Sequence, residues 1–260
     1  MVRHIPRKRF AQHFLVDETI IADIVAAIAP QPQDRMVEIG PGLGALTRPL
    51  LERLERLQAV EIDRDIVARL RASFPADRLT IHQNDALRFD FQDLGPGLRV
   101  VGNLPYNIST PLLFHLAGNA ANIRDIHAML QKEVVARMVA PSRGSDYGRL
   151  SVMLQYRFRL EEILTVPAAA FRPAPKVESA LVRMVPLQRG AGERCDEALL
   201  ARIVTRAFMQ RRKTLRNSLR AYLQSQDFVA LELDAEARAQ QLSVADFVKV
   251  TNYVANREGG

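Results

Sequence analysis

Residues 37–47, VEIGPGLGALT, constrain this chain more than any other stretch. An apolar run with strand character stops at a glycine-rich turn, and an amphipathic segment follows. Gly40, Gly42 and Ala45 satisfy G-x-G-x-x-A, the spacing that lets backbone approach a nucleotide at the start of a helix. The next apolar run ends in AVEID, with Glu61 nineteen residues beyond Gly42, where a carboxylate accepts hydrogen bonds from ribose hydroxyls. Strand, loop, helix, strand and carboxylate in this order predict a nucleoside site on a parallel α/β unit. Nicotinamide dinucleotide and S-adenosylmethionine both place an adenosine on such a unit, and the loop alone does not separate them.

The flanking pattern extends the unit. Asp17 is placed to cap a helix carrying Ile20, Ile21, Ile24, Val25 and Ile28. Strands are predicted at Met36–Ile39, Ala59–Ile62, Leu79–His82, Val100–Gly102 and Ile126–Leu130. Helices are predicted at Leu46–Leu57, Ile66–Phe74 and Pro111–Leu116, so the sheet is parallel and wrapped by helices. Runs at 157–166 and 178–185 flank Pro167, Pro173 and Pro175 and read as a terminal antiparallel hairpin. After a linker at 188–193 the pattern is helical to the end. The expected organisation is an α/β domain at 1–188, preceded by a basic arm, and a small all-α domain at 189–260.

Composition excludes several classes. With 48% hydrophobic and 25% charged residues in 260, the chain is not compositionally disordered. No stretch approaches the roughly 18 apolar residues of a membrane span, and the amino terminus lacks a signal-peptide core. Cys195 is the single cysteine, and the histidines have no metal-ligand spacing. A cytoplasmic, reduced, metal-free protein is expected. The net charge of +7 is unevenly spread: residues 1–16 and 198–226 contain eleven Arg and Lys and no acid. Such clusters fit a polyanionic partner, because each neutralised phosphate releases counterions.

In VVGNLPYNIST, residues 100–110, a buried-strand pattern ends in an amide, a proline and an aromatic ring. Asn103 falls at the same sheet edge as Gly40, Glu61 and Asp85, where ligands of open α/β sheets bind. An amino group conjugated to a purine ring is a poor nucleophile. Two acceptors on its N–H bonds hold it and favour a pyramidal nitrogen. Asn103 can supply one acceptor, and the Leu104 carbonyl, fixed by Pro105, the other. Tyr106 offers a face on which to stack a base taken out of its helix. No strong base is required. An ordinary strand-ending turn would also account for this tetrad, and an N-cap would account for Asp85 as well as an adenine contact does.

Asn103–Thr110 resembles the signature of the rRNA adenine N6,N6-dimethyltransferases. The resemblance runs over nearly the whole chain, through Phe10–Leu15, Glu38–Gly44, Gln131–Val135, Tyr147–Val152, Phe171–Ser179 and Gln210–Ser218. The last block is most similar to the bacterial small-subunit (16S) branch. The resemblance implies a Rossmann-like methyltransferase fold, with a mostly parallel seven-stranded sheet, an antiparallel terminal hairpin and a helical carboxyl-terminal domain. It implies S-adenosyl-L-methionine as cofactor and two adjacent adenosines in the hairpin loop near the 3′ end of 16S rRNA as substrate. The partner would be an immature small ribosomal subunit, met by a monomer without metal or membrane. Cofactor contacts are implied at His13, Leu15, Gly40, Gly42, Glu61, Asp85 and Asn103. Catalysis falls to Asn103, Leu104, Pro105 and Tyr106. The substrate base and RNA fall to Tyr106, Phe171, Arg211, Arg212, Lys213 and Arg216. Phe171 equally fits a core phenylalanine.

Two other classes fit parts of the sequence. A nicotinamide-dependent oxidoreductase would use the glycine loop and Glu61, but it has no evident general acid or base and leaves 198–226 unexplained. A ribosome assembly factor would use the basic tail with catalysis secondary. The chain departs from the family at His13, where Asn is usual. A protonated imidazole beside a sulfonium is unfavourable, so cofactor binding should weaken in acid more for the natural protein than for His13→Asn. Identical pH profiles of cofactor affinity for the two proteins would contradict this.

Overall fold

The computed structural model describes residues 13–188, 190 and 194–258. The basic arm with Arg3, Arg7, Lys8 and Arg9, and most of the expected linker, lie outside these residues. Asp17 caps α1 (Glu18–Ile28): its carboxylate accepts the Thr19 and Ile20 amides at 3.0 and 3.1 Å. Ile24, Val25 and Ile28 form the buried stripe of this helix, and Ala29 ends it in the left-handed region with φ 47°.

The central sheet has seven strands. In chain order they are β2 (Met36–Ile39), β3 (Leu57–Glu61), β4 (Leu79–Gln83), β5 (Leu98–Asn103), β6 (Ile123–Gln131), β7 (Phe158–Val166) and β9 (Ser179–Pro186). Their spatial order is β4-β3-β2-β5-β6-β9-β7. The first five run parallel, β9 is antiparallel to β6, and β7, the other run of the expected hairpin, lies next to β9 at the sheet edge. Two short strands, β1 (Phe14–Leu15) and β8 (Phe171–Arg172), form a separate antiparallel pair. Helices α2 (Thr47–Leu51), α3 (Arg64–Ser73) and α4 (Ser109–Gly118) are the parallel crossovers. β2 and β5 approach each other closely at Gly102, where a Cβ would lie 2.4 Å from the Ile39 carbonyl oxygen. Only glycine admits that approach.

The chain divides into two compact units. The first contains residues 1–135 and 159–186, with a core that includes Ile24, Met36, Leu50, Val101 and Phe171. The second contains 136–158 and 187–260, so a segment from the middle of the chain packs with the helical tail. That segment holds α6 (Arg149–Arg157) and half of α5 (Lys132–Val139), neither of which was among the helices expected from the sequence. Tyr147 and Val152 share a core there with Leu200, Ile203, Leu215 and Phe247. The tail contributes α7 (Glu197–Phe208), α8 (Leu215–Ser218), α9 (Ser225–Ala230) and α10 (Val244–Glu258).

Two expected helices are shorter than their patterns. α2 stops at Leu51, because Arg78 donates to the carbonyls of Leu51, Leu54 and Glu55 at 2.6, 2.8 and 2.7 Å and Leu57 opens β3. The helical pattern expected after the linker is likewise interrupted, between the end of α7 at Phe208 and the start of α8 at Leu215. The break at 209–214 is held by Arg211, which donates to the carbonyls of Ser145 and Tyr147 at 2.8 and 3.0 Å. Both breaks depend on arginines reaching distant carbonyls, which helical periodicity does not register.

At the start of β5, opposite its Asn103 end, Arg99 is the hub of a buried ionic network. It pairs with Asp125 through Nε at 2.9 Å and Nη2 at 3.0 Å, and with Asp34 through Nη1 at 2.6 Å. Its Nη2 also donates to the Ile28 carbonyl at 2.7 Å. Burial alone would raise the Asp34 carboxyl, but the Gln31 amide and the Arg99 and Arg124 guanidiniums outweigh it and hold it below the usual range. Arg99→Met leaves the buried Asp125 without its cation and Asp34 with Arg124 alone, and should cost about 3–5 kcal/mol of unfolding free energy. Urea denaturation checks this; a loss of less than about 1 kcal/mol would show that the network relaxes around the missing charge.

Candidate active site

Four parallel strands end at one edge, and each terminus delivers one part of a cavity of about 300 Å³. After β2 comes the glycine loop, with Gly40 at φ 67° and Gly42 at φ 54°, a region that non-glycine residues rarely adopt. The Gly40 amide donates to the Val60 carbonyl at 3.0 Å, tying the loop to β3. Glu61 ends β3, Asp85 follows β4, and Asn103 ends β5. His13, Leu15, Gly40, Gly42, Glu61, Asp85 and Asn103–Tyr106 all line this one cavity, together with Glu38, Leu43, Ile62 and Asn84.

The Asn103 amide has a defined orientation. Its Nδ2 donates to the His13 backbone carbonyl at 3.0 Å, leaving Oδ1 as the free acceptor. Next to it, the Leu104 amide donates to the Met129 carbonyl at 3.1 Å, while no donor among the described residues reaches the Leu104 carbonyl. The two following carbonyls are both engaged: Pro105 accepts the Ile108 amide at 3.1 Å, and Tyr106 accepts the Ser109 hydroxyl at 3.0 Å. Two acceptors are therefore spare, on adjacent residues of one turn. The Tyr106 hydroxyl and Ser179 hydroxyl are 2.6 Å apart, which fixes the ring, and burial pushes the phenol up despite Ser179. His13 lies against the Tyr106 ring with centroids 5.7 Å apart and 29° between planes, and its Nδ1 is 2.8 Å from the Pro173 carbonyl. A neutral His13 at that distance carries its proton on Nδ1 and donates it.

The carboxylates differ in their surroundings. Glu61 accepts the Asp63 amide at 2.8 Å and is further favoured by the Gly42 and Ile62 amides, yet burial keeps its carboxyl above the ordinary range. Asp85 stands in the cavity wall, and its Oδ1 accepts the Leu87 amide at 2.9 Å, closing a turn rather than capping a helix. Glu38 is deeper, 2% exposed, and accepts the Thr47 hydroxyl at 2.6 Å. Among the described wall residues there is no Lys or Arg. A pyrophosphate would meet like charge here, whereas a cationic nucleoside cofactor would meet compensating charge, so the residues present fit S-adenosylmethionine.

Phe171 does not join this group. It is fully buried in the core, paired through β8 with Leu15, and absent from the cavity wall. Of the two readings open for this residue, that packing favours the core phenylalanine. The four basic candidates lie in the second unit and divide by partner. Arg211 holds its own loop, and Arg216 pairs with Glu236 at 3.1 Å, while the exposed Arg212 and Lys213 side chains have no partner among the described residues. Sequence reading missed Glu38 and Ser179 as individual contributors. An acid inside the otherwise apolar run MVEI is a usable signal for Glu38; Ser179, seventy-three residues from Tyr106, leaves none.

Comparison with known proteins agrees with the geometry. The family model for ribosomal RNA adenine dimethylase matches residues 3–256. A protein of Thiobacillus denitrificans named ribosomal RNA small subunit methyltransferase A is 61% identical, covering 98% of this chain and 100% of its own. One of the same name from Nitrosospira multiformis is 60% identical over 97% of each. Among solved structures, a dimethyladenosine transferase of Plasmodium falciparum superposes with a TM-score of 0.81 at 23% identity, over 95% of this chain and 98% of that one. The 23S rRNA methyltransferase ErmE gives 0.70 at 24%, over 93% and 99%, and both likenesses speak for the fold. With its sheet order, its strand-end cavity and a match across nearly its full length, the chain belongs to the ribosomal RNA adenine dimethylase family.

Proposed function

We propose that the chain transfers methyl groups from S-adenosyl-L-methionine to the N6 atoms of two adjacent adenosines in the hairpin loop near the 3′ end of 16S rRNA. It acts as a cytoplasmic monomer on an immature small subunit. The cofactor supplies an electrophilic methyl on a sulfonium. The observation that carries the reading is the pair of spare acceptors, Asn103 Oδ1 and the Leu104 carbonyl, on one fixed turn at the cavity.

Those acceptors take the two N–H bonds of the target amine. Holding the amine in place removes orientational freedom, and drawing on its N–H bonds favours the lone pair as nucleophile. Methylation makes the nitrogen more acidic, and its proton passes to water. The product retains one N–H, so one of the two acceptors can still orient it for a second transfer. Tyr106, locked by Ser179, offers an apolar ring beside the amine, and Glu61 suits ribose hydroxyls. Arg212 and Lys213 supply exposed charge for RNA phosphate, since structured RNA is held mainly through shape and backbone. Among the described residues no helix is long and apolar enough to cross a membrane, and no cluster of His, Cys, Asp or Glu could hold a metal.

The direct test uses purified protein, labelled cofactor and small subunits from cells lacking the modification, followed by nucleoside analysis. N6,N6-dimethyladenosine is expected at the two loop positions, with Asn103→Ala slower by about 100-fold or more. No label in the RNA, or an undiminished rate in Asn103→Ala, would overturn the reading. RNA binding makes a separate prediction. Arg212→Ala with Lys213→Ala should lower the slope of log affinity against log salt by about one to two, as expected for two lost phosphate contacts. Affinity for S-adenosylhomocysteine should be unchanged; an unaltered salt slope would remove these residues from the RNA interface.

A further inference from the structure

Glu38 is the buried carboxylate to which the proposed reaction gives no task. It lies in the cavity wall at the end of β2, 2% exposed, with the Thr47 hydroxyl from α2 donating at 2.6 Å. The charged and titratable groups around it come from four other segments. Glu61, with Asp63 behind it, ends β3, Asp85 follows β4, the Tyr106 phenol follows β5, and His13 precedes β1. All are acids except His13, and no Lys or Arg of the described wall balances them. The site therefore concentrates negative charge with no fixed counter-ion. Burial, with Glu61 adding repulsion and Thr47 opposing both, pushes the Glu38 carboxyl up to about 7.

The two ligands this site must handle in turn differ chiefly in charge. The methyl donor is a sulfonium, and the spent product is a neutral thioether of nearly the same shape. We propose that Glu38 reads this difference, releasing its proton to solvent when the sulfonium cofactor binds and keeping it when S-adenosylhomocysteine binds. The inference rests on the cofactor assignment above. A protonated Glu38 adds nothing to the hold on the product, whereas an ionised one strengthens the hold on the donor. The enzyme needs such a bias, because it must exchange product for donor between successive methylations.

Calorimetric titration in buffers of differing ionisation enthalpy counts the protons directly. The His13→Asn background removes the one other wall residue whose protonated form is a cation, and Asn is the residue the family usually carries there. At pH 7 this protein should release about half a proton per S-adenosylmethionine and close to none per S-adenosylhomocysteine. Raising the pH favours the ionised acid, so donor affinity should fall with acidity, approaching about tenfold per pH unit well below 7, while product affinity stays flat.

Adding Glu38→Gln, isosteric and still able to accept from Thr47, should abolish the release. It should also shift the ratio of donor to product affinity about tenfold toward product. Thr47→Val, which removes the donor favouring the ionised form, should move the midpoint of the donor pH profile upward. Equal proton release for both ligands, or release that survives Glu38→Gln, would overturn the inference. Absence of binding heat for both ligands would instead overturn the cofactor assignment.

Discussion

Parallel pairing of β2, β3, β4 and β5 forces four strand ends onto one edge, and the chemistry of this protein depends on that constraint. Every wall residue of interest stands where a strand stops: Gly40 past Ile39, Glu61 itself, Asp85 past Gln83, and Asn103 itself. A parallel sheet buries both faces, so the backbone groups released at its carboxyl edge must find other partners or receive a ligand. Gly102 is part of the same constraint. Its missing side chain lets β5 close on β2, which brings the Asn103 turn beside the glycine loop.

The site is prepared by hydrogen bonds that use up some polar atoms and leave others. Asn103 spends its amide nitrogen on His13, Tyr106 its hydroxyl on Ser179, and the Pro105 and Tyr106 carbonyls their lone pairs on Ile108 and Ser109. What remains is an acceptor pair with no competing donor among the described residues. The carboxylates follow the same logic at the level of charge. Glu38 and Glu61 are held in a wall without a cation, a cost that a positively charged ligand offsets. The Arg99 network, at the other end of β5, is already neutralised internally and so contributes to stability rather than chemistry.

Much of this was legible in the sequence because it is local. Strand, glycine loop, helix and carboxylate recur at fixed spacing, and the strand-ending tetrad at Asn103 is contiguous, so both the parallel sheet and its functional edge could be placed. Local pattern failed where distant residues intervene. Arg78 ends α2 early, and Arg211 holds the break in the tail by reaching the carbonyls of Ser145 and Tyr147. The packing of 136–158 with the tail leaves no periodic trace at all. At Phe171 the sequence left a base contact and a core position equally open, and only the pairing with Leu15 shows that the side chain packs in the core.

The central claim is that the Asn103 turn presents two oxygen acceptors to one amine. A crystal structure with S-adenosylhomocysteine and adenosine bound together tests it most directly. The account predicts the adenine N6 atom about 2.8–3.1 Å from both Asn103 Oδ1 and the Leu104 carbonyl oxygen, with Asn103 Nδ2 still on His13. An N6 atom bound elsewhere, or an Asn103 amide turned to offer its nitrogen to the base, would contradict it.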